Sequence, residues 1–104
     1  MVEKLVRDRI PEIIRSQGRD CDCRVASEGE ILELLTMKLD EEVAEYKADR
    51  NLEEFADVME VLVALAEYHG FSEEDLISKC HVKREERGGF RDHQVLYLNP
   101  ELDS

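Results

Sequence analysis

Four carboxylates occur in two pairs at one spacing: Glu42 and Glu45 in "EVAE", Glu54 and Asp57 in "EFAD". Side chains three residues apart on a helix are neighbours, so each pair presents its carboxylates from one face. Two such faces turned toward each other form an oxygen-rich site, the donor set preferred by hard divalent cations such as Mg2+ and Mn2+. A di-iron bundle site fits poorly, because neither pair is an E-x-x-H motif.

The segments that carry the pairs have helical patterns. Ser27 with Glu30 makes a capping box that opens a helix over residues 28 to 49, and Asn51 with Glu54 repeats the signal. The second helix runs from about Leu52 to His69 and closes at Gly70. On the first helix Leu32, Leu35, Leu39, Val43 and Tyr46 form an apolar stripe that Ile31 and Leu34 widen. Lys38, Glu42, Glu45 and Asp49 fall about 240°, 280°, 220° and 260° from Leu32, within the widened stripe. On the second, Glu54 falls about 200° from Leu52, between Val61 and Leu65, while Asp57 at about 140° neighbours Tyr68. Glu53, Glu60 and Glu67 keep to an ordinary polar face. Burying an unpaired carboxylate costs on the order of several kcal/mol, so the misplaced subset needs cations. Either Lys38 pairs with Glu42 at i,i+4 and the other acids line a wet margin, or metal ions neutralise the group.

The rest of the chain is also mostly helical by pattern. "RDRIPEIIRSQG" reads as a short helix entered near Pro11 and closed at Gly18. Ser72 with Asp75 starts another, "EEDLISKCHVKREER", which stops at Gly88 and Gly89. "CDCRVAS" alternates weakly as a short strand, and "HQVLYLNP" is its expected partner. The expected fold is therefore all-α: one domain over residues 1–104, a helical hairpin bundle with at most a minor short-strand pair. A chain of 104 residues leaves much apolar surface to be covered elsewhere, so a homodimer or homotetramer is expected to complete the bundle.

A formal net charge of −12 argues against a nucleic-acid polymer or an anionic membrane as partner, because both attract positive surface. No apolar run approaches the roughly 20 residues that cross a bilayer, and "MVEKLVRDRIPEII" has no signal-peptide core; a cytoplasmic protein is expected. Its three cysteines are then reduced. Cys21 and Cys23 with Cys80 and His81 offer four zinc ligands in principle, although C-x-C is not the usual knuckle spacing.

The ordered motifs, E-x-x-E followed by E-x-x-D, resemble those of the MazG-like all-α nucleotide pyrophosphohydrolase superfamily, which includes phosphoribosyl-ATP pyrophosphohydrolase. "KLVRDRIPEII" and "KREERGGF" look like the small stand-alone branch described as house-cleaning enzymes, which extends the resemblance over nearly the whole chain. Only eight residues separate Glu45 from Glu54, fewer than in many members, so the loop is tight. The resemblance implies Mg2+-dependent cleavage of a nucleoside triphosphate between the α and β phosphates, with Glu42, Glu45, Glu54 and Asp57 as metal ligands. Either Glu45 or Glu41 is the candidate general base. Lys38, one turn before Glu42, is a candidate phosphate contact. So are Lys83, Arg84 and Arg87 before the glycines, and Arg7 in "VRDR". His69, His81 and His93 read as helix-end or surface residues, and Phe90 is a candidate base-stacking ring. Two alternatives accompany this expectation: a biosynthetic hydrolase of phosphoribosyl-ATP type, and a non-enzymatic helical module whose Lys38–Glu42 pairing sets partner choice.

Overall fold

In the computed structural model, which describes residues 3–97, the fold is all-α. It comprises α1 (Ile10–Ser16), α2 (Ile31–Asp49), α3 (Leu52–Tyr68) and α4 (Glu73–Arg87). The helices fall into two compact units, one up to Glu73 and one from Glu74 onward. Among the described residues, no helix is long and apolar enough to cross a membrane.

Capping chemistry explains the helix limits in the first unit. Before α2, Glu30 Oε2 accepts from the Ser27 N–H and the Ser27 hydroxyl, both at 2.9 Å. The Glu30 N–H in turn donates to the Ser27 carbonyl at 3.1 Å, and this i,i+3 bond makes Glu28–Glu30 a 3-10 turn. The α-helix expected from residue 28 therefore starts at Ile31. At the far end of α3, Gly70 adopts φ 90°, and its N–H and that of Phe71 close back on Glu67 and Ala66 at 3.0 and 2.9 Å. That is a Schellman closure, which favours glycine because the left-handed region penalises a Cβ.

The expected strand pair is absent among the described residues. Arg15 takes the place of a ladder partner: its Nη2 donates to the Cys21 carbonyl and to Cys23 Sγ, both at 3.4 Å. Arg24 is drawn to Glu3 and Glu30. Of the proposed partner, His93–Tyr97 has no regular structure, and 98–100 lies outside the described residues.

The core of the first unit is small. Among the described residues, Val61 and Val63 are the buried apolar residues, and the third buried residue is an acid, Glu42. On α3, Leu52, Phe55, Met59 and Leu62 recur at helical spacing and are exposed among the described residues, forming an apolar ridge. In the second unit α4 is solvated over most of its length, with Leu76 its half-buried residue, and the Gly88 N–H closes onto Arg84 at 2.7 Å.

Candidate metal centre

The α2–α3 link consists of Arg50 and Asn51, and its geometry sets which residues face each other. Arg50 is left-handed, with φ 49°, and donates its N–H to Tyr46 at 2.8 Å. Its guanidinium lies 5.9 Å over the Tyr46 ring, which meets Phe55 at 5.0 Å across the turn. Asn51 then caps α3 by accepting the Glu54 N–H at 3.1 Å. A reversal this short brings the last two turns of α2 level with the first two of α3, and the two acid pairs therefore meet.

One carboxylate oxygen from each of Glu42, Glu45, Glu54 and Asp57 lies within 4.8 Å of the other three. Glu42 is 6% exposed; Glu54 and Asp57 are half-buried, and Glu45 is open to solvent. The cluster thus has a closed floor and an open mouth. Glu42 Oε2 and Glu54 Oε2 are buried without a hydrogen-bond donor among the described residues. An anionic oxygen stripped of water and left unpartnered costs about 1–3 kcal/mol or more, so two in one cluster call for a cation.

The spread of the four oxygens suits a small ion. Opposite ligands on octahedral Mg2+ stand about 4 Å apart, only a little closer than the cluster's outer limit. An all-carboxylate donor set excludes the soft metals that prefer thiolate or imidazole. The donor set fits a hard divalent cation such as Mg2+ or Mn2+, which Glu42, Glu45, Glu54 and Asp57 would hold, with the orphaned oxygens of Glu42 and Glu54 on its inner side.

Three cations ring the acids. Lys38 Nζ lies 3.1 Å from Glu42 Oε1 and 3.4 Å from Glu41 Oε1. Arg7 crosses from the segment before α1 to reach Asp57 Oδ1 at 2.7 Å. Lys4 reaches Glu41 at 2.9 Å. With Glu41 included, five carboxylates meet three cations, and Asp49 and Glu53 add negative charge near Glu54, so the region keeps an excess of negative charge. The sequence patterns pointed to Arg7 but passed over Lys4; the signal was there in two cations three residues apart, Lys4 and Arg7, in an otherwise acidic chain. Arg9 bonds locally to Glu12 instead.

Proton affinity differs across these acids for identifiable reasons. Glu45 is pushed above the usual carboxylate range, first by the charge of Glu42 and by its hydrogen bond. Glu54 is pushed up by burial first, then by Asp57, Asp49 and Glu42. Glu41 is held below its ordinary value, chiefly by the Lys4 hydrogen bond. Of the two candidate bases, Glu45 lies in the cluster with raised proton affinity, whereas Glu41 lies outside the four and is committed to lysines.

The other candidates are not among the four clustered acids. Lys83, Arg84 and Arg87 are exposed on the last turns of α4 in the second unit and make no ion pair among the described residues. Phe90 is also exposed. Cys21 Sγ approaches the Pro11 carbonyl at 3.9 Å, and Cys80 and His81 lie exposed on α4. Among the described residues, the acids are the group of side chains close enough to share an ion.

No family model matches the chain, and no solved structure matches it. An uncharacterized protein of Mycolicibacterium smegmatis is 56% identical over 45 residues. That stretch spans 43% of this chain and 46% of the relative, so the likeness covers less than half of either.

Proposed function

We propose that the chain is a metal-dependent nucleotide pyrophosphohydrolase that converts a nucleoside triphosphate to a monophosphate and pyrophosphate. The observation that carries this reading is the pair of buried, donorless oxygens, Glu42 Oε2 and Glu54 Oε2, one from each acid motif of a single cluster. The motif order, which resembles that of the MazG-like superfamily, supports the substrate class. Glu42, Glu45, Glu54 and Asp57 hold Mg2+ or Mn2+. When bound, the metal supplies a Lewis acid for the phosphoryl oxygen and lowers the pKa of water.

The chain's own groups do the remainder. Lys38 turns an ammonium donor toward the phosphate oxygens from its place between Glu41 and Glu42. Glu45, at the open mouth of the cluster, takes the water proton on a carboxylate oxygen that the metal would leave free. The water oxygen bonds to the α-phosphorus, and the bridging oxygen departs with pyrophosphate. The exposed α3 ridge, Leu52 to Leu62, supports assembly as a homodimer or homotetramer. Three free cysteines suit the reducing cytoplasm.

Pyrophosphate release with Mg2+ or Mn2+, measured over ordinary, deoxy and damaged triphosphates and phosphoribosyl-ATP, tests the reading. Glu54→Gln is expected to lower turnover by about a hundredfold or more. No turnover on any substrate, or full turnover in that variant, sinks it.

A non-enzymatic helical module is the second reading, favoured by the Lys38–Glu42 pair and the exposed ridge. It predicts self-association without any stabilisation by metal, which light scattering and thermal melts with and without Mg2+ separate from the first.

A further inference from the structure

The acid cluster occupies one side of α2, and a groove runs along the next. Its volume is about 500 Å3, and it lies between Glu3 and Lys4 of the N-terminal segment and Leu34, Met37, Lys38 and Glu41 of α2. That volume falls within the range of about 300–1,000 Å3 typical of small-molecule sites. Leu34 and Met37 give it an apolar wall, and Asp40 adds an acceptor that makes no ion pair among the described residues.

Groove and cluster share one side chain. Lys38 Nζ contacts Glu41, which lines the groove, and Glu42, which floors the cluster. A molecule lying in the groove and reaching the metal ligands passes this ammonium. Lys4 stands opposite, bonded to Glu41 at 2.9 Å with its side chain 55% exposed. Both ammonium groups lie on Glu41 Oε1, so a phosphate between them replaces that carboxylate oxygen, and its own charge-assisted bonds to Lys4 and Lys38 offset the loss.

We infer that this groove is the nucleoside end of the substrate site: base and sugar lie along Leu34 and Met37, and the α-phosphate sits between Lys4 and Lys38. The inference rests on the triphosphate reading of the acid cluster. A neutral ring system matches the apolar wall, a sugar hydroxyl can donate to Asp40, and the two ammonium groups match the phosphate that must stand between nucleoside and metal. No part of α4 is needed for it.

The test is a titration of the isotopically labelled full chain with nucleoside monophosphates, the expected products, in Mg2+, followed by backbone amide NMR. Shifts are expected at Lys4, Leu34, Met37, Lys38 and Glu41. Met37→Glu, at an exposed position, is expected to weaken monophosphate binding about tenfold or more by placing a carboxylate where the ring rests, while the Mg2+-induced rise in melting temperature stays unchanged. Lys4→Ala is expected to weaken it too, and to weaken pyrophosphate, used as a probe without a nucleoside, less. Shifts confined to α4, no binding of any monophosphate, or binding indifferent to both variants overturns the inference. So does a change of oligomeric state in Met37→Glu, which would mean that a second copy covers the groove. If Mg2+ leaves the melting temperature of the unmodified chain unmoved, the metal reading itself fails, and that result is distinct from the others.

Discussion

Two acid groups lie along the α2–α3 hairpin, one at its start, Glu3 and Glu30 before α2, and one at its middle, Glu42, Glu45, Glu54 and Asp57 across the turn, and they are built in opposite ways. At the start, Arg24 grips both Glu30 oxygens, at 2.8 and 2.7 Å, and both Glu3 oxygens, at 3.1 and 3.3 Å. Ser27 adds its N–H and hydroxyl to Glu30. Each carboxylate there has a donor, and Arg24 first, then Ser27, holds the Glu30 carboxyl far below the usual range. In the middle, Glu42, Glu45, Glu54 and Asp57 turn toward one another, and two of their oxygens have no donor. The first group fixes a helix end and ties the N-terminal segment to it. The second is unsatisfied as it stands. Acid density does not separate the two groups; the supply of donors does.

The largest expected difference between the two groups is their response to metal. At a hundred times its dissociation constant, a ligand specific for the folded state adds about 2.7 kcal/mol. For a chain of this size that is a rise of about 10–20 °C in melting temperature, measured by differential scanning fluorimetry against a chelator control. Glu54→Gln should abolish the rise, and Ser27→Ala should leave it intact. A rise of equal size in Glu54→Gln would place the ion elsewhere.

Without metal the same two variants should move stability in opposite directions. Ser27→Ala removes a capping partner and is expected to cost about 1 kcal/mol, roughly 4–8 °C. Glu54→Gln removes a charge that burial and four nearby acids disfavour, so it should raise the melting temperature by about a few degrees. A fall in both would show that the middle acids are held as tightly as those at the start.

The helices and the acid cluster were legible in the sequence because both follow from period and spacing. The capping pairs Ser27–Glu30 and Asn51–Glu54 mark helix starts by local chemistry, and Glu42 and Glu54 were conspicuous as carboxylates in apolar sectors. The partners were less legible. Lys4–Glu41 and Arg7–Asp57 join residues 37 and 50 positions apart, and no local pattern encodes such a contact. The weak alternation of "CDCRVAS" misled for the same reason: a strand exists only with a partner, whereas Arg15 and Arg24 draw this segment into side-chain contacts.

A smaller effect separates the groups by pH. Glu45 and Glu54, with raised folded-state values, bind protons in the folded chain before the unfolded one, so stability grows as pH falls from neutral toward the ordinary carboxylate value. Glu30 and Glu41, held down, contribute fully above that value, and their contribution is lost as pH falls through and below it. Melting temperatures of the chelated protein should therefore rise as pH falls from neutral toward the ordinary carboxylate value and decline below it. Saturating Mg2+ should move the peak toward neutral, because protons and metal compete for the same oxygens.

The finest test concerns Arg7, the cation that, among the described residues, contacts a proposed ligand from outside the hairpin. Arg7 occupies Asp57 Oδ1 at 2.7 Å, so it supplies part of the charge that the proposed metal would. If that contact is a placeholder, Arg7→Gln removes a competitor and an adjacent positive charge together. Mg2+ affinity, measured by calorimetry, should then rise about twofold to fivefold, the size of a half-exposed ion pair. If Arg7 instead fixes Asp57 in place for the metal, the same variant weakens binding. Lys4→Gln should change metal affinity less, because Lys4 bonds to Glu41, outside the four ligands. The sign of the Arg7 effect thus decides whether the N-terminal segment competes with the metal or serves it, and melting temperature alone would not reveal which.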